Sequence, residues 1–517
     1  MPTSNRRTDG RRPWLILAIC CMSLLIVGTD ATIVNVALPA IRRELHASLS
    51  GLQWSVDAYT LVIGSFLMAA GSTADRFGRR RVFQAGLALF TLGSLLCSVS
   101  TSVTLLVVFR CVQALGGAML NPVALSIISN TFTERQARAR AMGVWGAVFG
   151  VSLALGPVLG GLLVTSLTWR AVFWINIPIG IAAVVLTQLF VPESKAPAAR
   201  RFDPYGQVLV IVMLATVTFG VIEGPTRGWG SPLIAGMFTA GALAAGSLVL
   251  VESRRPQPLL EVRFFRSLPF SGASAIAVLS FGVLGGFLFI NTLYLQDGRG
   301  DSALRAGLMT LPMALMICVF APISGRLVGS RGPRLPLVLA GLLMAVAAAL
   351  MLRLSDSTAT GYLLADYVLF GIAFGLVNAP ISNTAVSGMP NSQAGVAASV
   401  ASASRQTGNT IGVAITGSIV AAAVAGGAAA SGVSAPGLAA ASHAVWAVMV
   451  ACGLAVAAIG YASTSRRALG TARRVREMLD TDDASPAGQP PTTAGPGEPA
   501  QVARGEGRAR DTTADGR

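Results

Sequence analysis

Apolar runs of about 20 residues, the length that crosses roughly 30 Å of hydrocarbon as a helix, recur fourteen times along this chain. They fall near 14–38, 52–71, 82–100, 103–129, 141–165, 171–191 and 204–222, then near 233–251, 268–294, 304–327, 335–353, 361–386, 396–425 and 442–463. Inside a bilayer every backbone N–H and C=O must find its partner within the protein, so runs this long fold as helices rather than as barrel strands. Composition agrees, since 517 residues that are 53% hydrophobic and 12% charged exclude the soluble classes. The chain reads as an all-α polytopic membrane protein. Arg6, Arg7, Arg11 and Arg12 precede the first run as in a secretory signal, but the run is too long for one and Asp30 interrupts it, so a retained helix is expected.

The basic residues orient the runs. With both termini in the cytoplasm, Arg76 to Arg81, Arg135 to Arg140, Lys195 to Arg201, Arg254 to Arg266 and Arg326 to Arg334 all fall in cytoplasmic loops. The opposite loops hold only Arg42, Arg43, Arg170, Arg227, Arg299, Arg305 and Arg353, which is the positive-inside bias. That asymmetry and an arginine-bearing tail account for the net charge of +16 without a nucleic-acid partner. Cys20, Cys21, Cys97, Cys111, Cys318 and Cys452 all lie in apolar runs with no metal-ligand spacing. From about Arg466 large apolar residues become scarce, and a disordered tail is predicted.

What powers such a protein is constrained by what it lacks. Its one lysine, Lys195, sits in P-E-S-K-A-P, so no nucleotide-binding loop can be built; no cofactor is expected, and an ion gradient is the remaining source of work. Three ionisable residues inside the runs reach a similar depth in the outer half of the membrane: Asp30, Asp57 and Arg110. Inserting an acid there costs about 2.5–3.5 kcal/mol, and keeping it neutral near pH 7 costs about 4 kcal/mol at about 1.36 kcal/mol per unit. The two are comparable, so an acid at this depth suits proton exchange, with Arg110 pulling the other way. A static ion pair holding helices together remains the alternative. Asp57, nearer the outer end, either assists or only shapes the mouth. Arg405, in the thirteenth run, has no acid in a partner position and either binds substrate or bridges backbone carbonyls.

The string G-S-T-A-D-R-F-G-R-R-R, Gly71 to Arg81, resembles the loop between the second and third helices of the major facilitator superfamily. Further strings follow in the order that family has them: D-A-T-I-V-N-V-A-L-P from Asp30, R-C-V-Q-A-L-G-G-A from Arg110, and W-R-A-V-F-W-I-N-I-P-I-G from Trp169. The fifth run carries Gly146, Gly150, Gly156, Pro157, Gly160 and Gly161 in the spacing of the antiporter motif. With fourteen runs, residues 12 to 465 look like the fourteen-helix drug:proton antiporter branch. Gly325 to Arg334 repeats the Gly71 loop 254 residues later, keeping its flanking glycines but with Gly329 in place of Asp75. That offset is eight runs rather than six, so two helices are inserted between two six-helix bundles.

The resemblance implies a basic N-terminus (1–13), a six-helix bundle (14–191), a linker with two additional helices (192–267), a second bundle (268–463) and a tail (464–517). It implies proton coupling through Asp30 and Arg110; Asp57, placed by its depth alone, is expected to assist. It also implies a gating loop of Gly71, Asp75, Arg76, Gly78, Arg79 and Arg80, in which Asp75 faces a helix N-terminus or pairs with Arg79 and Glu134 is a third member. By analogy Asn35, Gln113, Phe287, Asn291, Tyr294, Asn378 and Arg405 face the space between the bundles, core packing being the alternative for each. The expected function is export of small amphipathic compounds in exchange for protons, by a monomer in a bacterial plasma membrane. An uptake permease of the same fold is the rival reading. A receptor or an enzyme is another, though the two histidines, His46 and His443, lie near outer helix ends without evident partners.

Overall fold

The computed structural model describes residues 11–195, 203–255, 261–387, 389, 393–428 and 436–484. Helices α1 (Arg11–Leu45), α2 (Leu49–Phe77), α3 (Arg79–Ser98), α4 (Val103–Thr131), α5 (Arg135–Ser166) and α6 (Ala171–Phe190) make up the first half. A hairpin of α7 (Pro204–Arg227) and α8 (Pro232–Glu252) follows. The second half contains α9 (Leu268–Gly298), α10 (Ala303–Arg331), α11 (Arg334–Met351), α12 (Thr360–Val386), α13 (Ala394–Ala428) and α14 (Pro436–Ser463). Thirteen of the described helices are long and apolar enough to cross a membrane. The fourteenth, α13, is 35 residues long but carries Arg405, Gln406 and Asn409, and it packs against α9 and α2 in the middle of the bundle.

Local chemistry starts these helices where the loops end. Ser48, Ser102, Asp203 and Ser231 each accept a hydrogen bond from the backbone N–H three residues on, filling one of the orphan donors of a first turn. Outward faces stay apolar, as at Leu189, Leu243 and Leu454, because lipid rather than water covers them.

The two halves repeat one packing scheme. In the first, α1 pairs with α5, α2 with α4, α3 with α4 and α3 with α6; in the second, α9 pairs with α13, α10 with α12, α11 with α12 and α11 with α14. Between halves the contacts are α2 on α13, α5 on α10 and α1 on α9. These contacts close the end of the bundle that holds the α1–α2 turn, called the far end below. There Gln296 Nε2 donates to Val36 O at 2.9 Å, Leu304 N donates to Thr165 Oγ1 at 3.2 Å, and Arg42 and Arg43 stand 3.6 and 4.0 Å from the Asp297 carboxylate. Toward the opposite, proximal end the α5–α10 contact is not continued at the glycines: no atom lies within 4 Å of where a Cβ would stand at Gly143, Gly146, Gly325 or Gly329.

The predicted disorder of the tail is corrected for its first part. Residues Arg466–Ala484 form a helix, α15, in which Ala468, Ala472, Val475 and Leu479 are buried. These four recur at helical spacing, and Val475 and Leu479 join Phe264, Phe270 and Val400 in one apolar cluster at the proximal end. Few large apolar residues suffice because they share one stripe. Residues 1–10 of the basic N-terminus and 485–517 of the tail lie outside the described residues.

The tightest joint of the second half is the α9–α13 crossing, where a Cβ on Gly412 would stand 2.0 Å from the carbonyl oxygen of Gly282. Gly412→Val should therefore cost about 1–3 kcal/mol by overpacking and lower the unfolding midpoint in detergent. Gly395→Val, on the same helix with nothing within 4 Å, should leave the midpoint within error.

Candidate functional site

Asp30 sits at the meeting point of the first half with no exposed surface. Its Oδ2 accepts from Arg110 Nη1 at 2.5 Å, and its Oδ1 accepts from Gln113 Nε2 at 2.8 Å and from Asn176 Nδ2 at 3.1 Å. Arg110 and Gln113 lie one turn apart on α4 and so reach the same carboxylate. Asn176 comes from α6 just after a break at Ile175, and Ser94 of α3 accepts from both Gln113 and Asn176. Arg110 is itself held: its Nε donates to Ser55 O at 3.2 Å, its Nη1 also donates to Gln113 Oε1 at 2.7 Å, and its guanidinium lies 4.0 Å from the centroid of the Tyr59 ring. The arrangement leaves a buried carboxylate balanced by one cation, with its other lone pairs filled by amides. Such a pair persists out of water only when its geometry is this complete.

The glycines of the fifth run form two faces of α5. Gly156 and Gly160 meet α1, where an added Cβ would stand 1.8 Å from Thr32 Oγ1 and 2.9 Å from Ile33 Cγ1. Gly161 and Pro157 meet α10 of the other half: a Cβ on Gly161 would stand 2.6 Å from Ala303 O, and one on Gly307 2.1 Å from Pro157 O. Gly150 faces Cys318, and Gly146 faces open space. The motif is thus a main-chain seam between the halves that runs from the far end to mid-height.

The sequence profile of the Major Facilitator Superfamily matches residues 20–413. The chain belongs to the major facilitator superfamily. It is 38% identical over 412 residues to the multidrug resistance protein Stp of Mycobacterium tuberculosis, covering 80% of this chain and 76% of that protein. It is 37% identical over 412 residues to the tetracenomycin C resistance and export protein of Streptomyces glaucescens, covering 79% and 76%. In fold it is similar to a bacterial homologue of the lysosomal transporter Spinster in an inward-facing, occupied conformation, with a TM-score of 0.62 at 18% identity over 93% of this chain and 100% of that one.

As a superfamily member the chain is expected to carry its latch in the Gly71 to Arg81 loop, and the structure changes one partner there. Asp75 pairs with Arg79 at 2.9 Å. Glu134 is exposed at the start of α5 and, among the described residues, makes no ion pair, so water rather than the loop answers its charge. Glu193, just past α6, takes the place expected for it: Oε1 accepts from Arg80 N at 3.1 Å, and its carboxylate stands 4.0 Å from Arg80 Nε and 3.7 Å from Arg81 Nε. Arg79 N donates to Ser194 O at 2.9 Å. Gly78 has φ +109°, a conformation that favours glycine, and a Cβ there would stand 2.7 Å from Glu193 Oε1. No atom lies within 4 Å of where a Cβ would stand on Gly71, and Arg76 is exposed, its guanidinium 5.6 Å from the Phe77 ring.

The candidate pocket residues divide. Gln113 belongs to the Asp30 cluster. Phe287 is enclosed by Tyr367, Phe370 and Trp446, with ring centroids 5.6, 4.5 and 6.0 Å away. Asn291 accepts from Tyr367 Oη at 2.5 Å, and Tyr294 Oη donates to Ser355 O at 2.6 Å. These three are core of the second half, since aromatic and amide groups that satisfy one another need no ligand. Asn35, Asn378 and Arg405 are different: Asn35 Oδ1, Asn378 Oδ1 and Arg405 Nε are buried without a hydrogen-bond partner. Arg405 donates to Ser382 Oγ at 2.5 Å and to Ser402 Oγ at 3.4 Å, and among the described residues no acid pairs with it.

Asp57 does not join Asp30. It is wholly buried rather than solvated, and neither carboxylate oxygen has a partner among the described residues. Asp366 of α12 is in the same condition; a lone acid in an apolar run is the signal that marks it, and the sequence reading passed over it. Ser94, Asn176 and Glu193 were likewise missed.

Replacing Glu193 by Ala should speed hydrogen exchange several-fold at the amides of Arg79 and Arg80, which it helps to hold, whereas Glu134→Ala should leave them unchanged. Exchange mass spectrometry on the purified protein decides between the two carboxylates.

Proposed function

We propose that the protein exports small amphipathic compounds across a bacterial plasma membrane in exchange for protons, alternating access between its two halves. It acts as a carrier rather than an enzyme, works as a monomer and uses no cofactor. The observation that carries this reading is the closed set of bonds around Asp30. A proton arriving at Oδ2 displaces Arg110 Nη1 and leaves a neutral acid beside a cation that keeps Ser55 O, Gln113 Oε1 and the Tyr59 ring. Loss of one partner from a buried pair costs about 3–5 kcal/mol. A membrane potential supplies about 2.3 kcal/mol per charge per 100 mV, so a proton drawn by potential and pH difference together is of the size needed to tip the exchange.

The proximal end is assigned to the cytoplasm, because the basic stretches Arg76 to Arg81 and Arg326 to Arg334 lie there. Both termini are then inside, and Gly143, Gly146, Gly325 and Gly329, which meet no neighbour, lie toward the compound's side. Asn35, Asn378 and Arg405 are the polar groups left to meet a compound. The Asp75–Arg79 pair and Glu193 latch the loop and release as the halves rock. Relatives named for multidrug resistance and for tetracenomycin C export favour export over uptake.

In inside-out vesicles acidified within, adding a transported cationic dye or antibiotic should release protons in a way that depends on this protein. Asp30→Asn should abolish that release while the protein remains inserted. Gradient-driven export by the mutant at the wild-type rate would overturn the coupling role. Asp75→Asn should slow the cycle without altering which compounds bind, as read from dye transport and dye-binding titrations.

A further inference from the structure

The hairpin α7–α8 is an addition to the two six-helix halves, and its contacts give it a place in the cycle. Helix α7 is bound to both halves at once. Trp54 Nε1 of α2 donates to Glu223 Oε1 at 3.2 Å, Gln207 Nε2 donates to Ser65 O of α2 at 2.8 Å, and Ser418 Oγ of α13 donates to Val221 O. It therefore lies over the seam where α2 and α13 meet, a seam joined by Gln53 Nε2 to Ala414 O at 3.0 Å and by Thr60 Oγ1 to Thr410 Oγ1 at 2.7 Å.

Asp57 points into this seam. On α2 it stands one turn from Gln53 and Trp54 on one side and one turn from Thr60 and Leu61 on the other. Gln53 and Thr60 face α13; Trp54 faces α7. The helical position between them is the line where all three helices meet. Just beyond it Thr60, Leu61, Leu214, Thr218, Thr407 and Thr410 enclose a gap of about 10 Å³, room for a single water. Among the described residues, the charged groups on the neighbouring helices have their contacts elsewhere. Glu223 and Arg227 of α7 pair with each other at 3.1 Å, Arg405 of α13 bonds Ser382, and Arg110 of α4 bonds Asp30. Among the described residues no arginine forms an ion pair with Asp57, whose two oxygens are buried without a hydrogen-bond partner. A carboxylate in such a place finds no partner in the protein, and it can exchange a proton only when water reaches it.

We propose that α7 is the lipid-side wall of a second proton site, centred on Asp57, and that the site exchanges its proton only when the far end opens and α13 draws away from α7. The inference rests on the exporter reading for its direction, and it adds a task for the inserted helices: they keep the seam dry while the far end is shut. Two of the three tethers, at Glu223 and Ser418, sit at that end, so far-end opening must break one of them.

The test separates the wall from the proton. In the full chain with its six cysteines replaced, Asp57→Cys is exposed to a small cationic methanethiosulfonate added from the far side. Labelling should be slow, and adding Glu223→Ala with Ser418→Ala should speed it by about tenfold, the change that two hydrogen bonds of this kind are worth. Trp54→Phe, a milder loss of the first tether, should give a smaller increase and serves if the double variant does not fold. An unchanged rate in the folded variants overturns the wall, whatever the transport reading. In parallel, Asp57→Asn should lower the number of protons exchanged per compound, read from the reversal potential in proteoliposomes. An unaltered proton count overturns the proton site even if labelling speeds up.

Discussion

A charge placed out of reach of water has to be answered inside the protein, and the contact between Arg110 and Asp30 is the answer around which the first half is arranged. Five helices contribute to it: α1 brings the acid, α4 the arginine and Gln113, α3 Ser94, α6 Asn176, and α2 the Ser55 carbonyl with the Tyr59 ring. Other features follow from that convergence. Gly93 lets α3 approach α4 so closely that a Cβ there would stand 2.4 Å from the Gln113 Cα. An arrangement with so few spare bonds suits the proposed coupling, in which one proton would act as a switch rather than as a gradual bias.

The halves share a packing scheme but not a chemistry. Each carries a buried acid without a hydrogen-bond partner, Asp57 on α2 and Asp366 on α12, yet among the described residues only the first half has a fully buried acid–arginine pair, the Arg299–Asp301 pair of the second half lying in the loop after α9. Only the Gly71 loop has an acid at the position that Gly329 fills in its repeat. The second half is organised instead by aromatic contacts around Phe287 and by main-chain contact between Gly282 and Gly412. That division suits a rocking pair in which one member holds the device and the other supplies a stiff surface.

Much of this was legible in the sequence because membrane helices are written in long, simple runs. Their positions, the meeting of Asp30 with Arg110, and the Asp75–Arg79 pair all follow from hydropathy, depth and helical spacing. Facing is harder to read. Phe287, Asn291 and Tyr294 look like cavity residues in a list of polar and aromatic types, but which side of α9 they occupy depends on how α12 and α14 pack. Glu134 and Glu193 lie at the ends of different helices, and no local pattern says which end folds back onto α3. Half of the α15 stripe is alanine, which hydropathy undervalues and close packing does not.

The contact of α5 with α10 leads to a different kind of conclusion. At Gly161, Pro157 and Gly307 the far-end closure is main chain against main chain, while the ion pairs beside it, Arg42 and Arg43 with Asp297, are half exposed and worth at most about 1 kcal/mol. A closure built from backbone has almost no side chain to lose, so truncating mutations there have nothing to remove, and enlarging ones have nowhere to go. Sequence change along this stretch is therefore one-sided: the amino acids on offer shrink to the smallest, and divergence among descendants of this gene will pile up on the lipid-facing flank of the same helix instead.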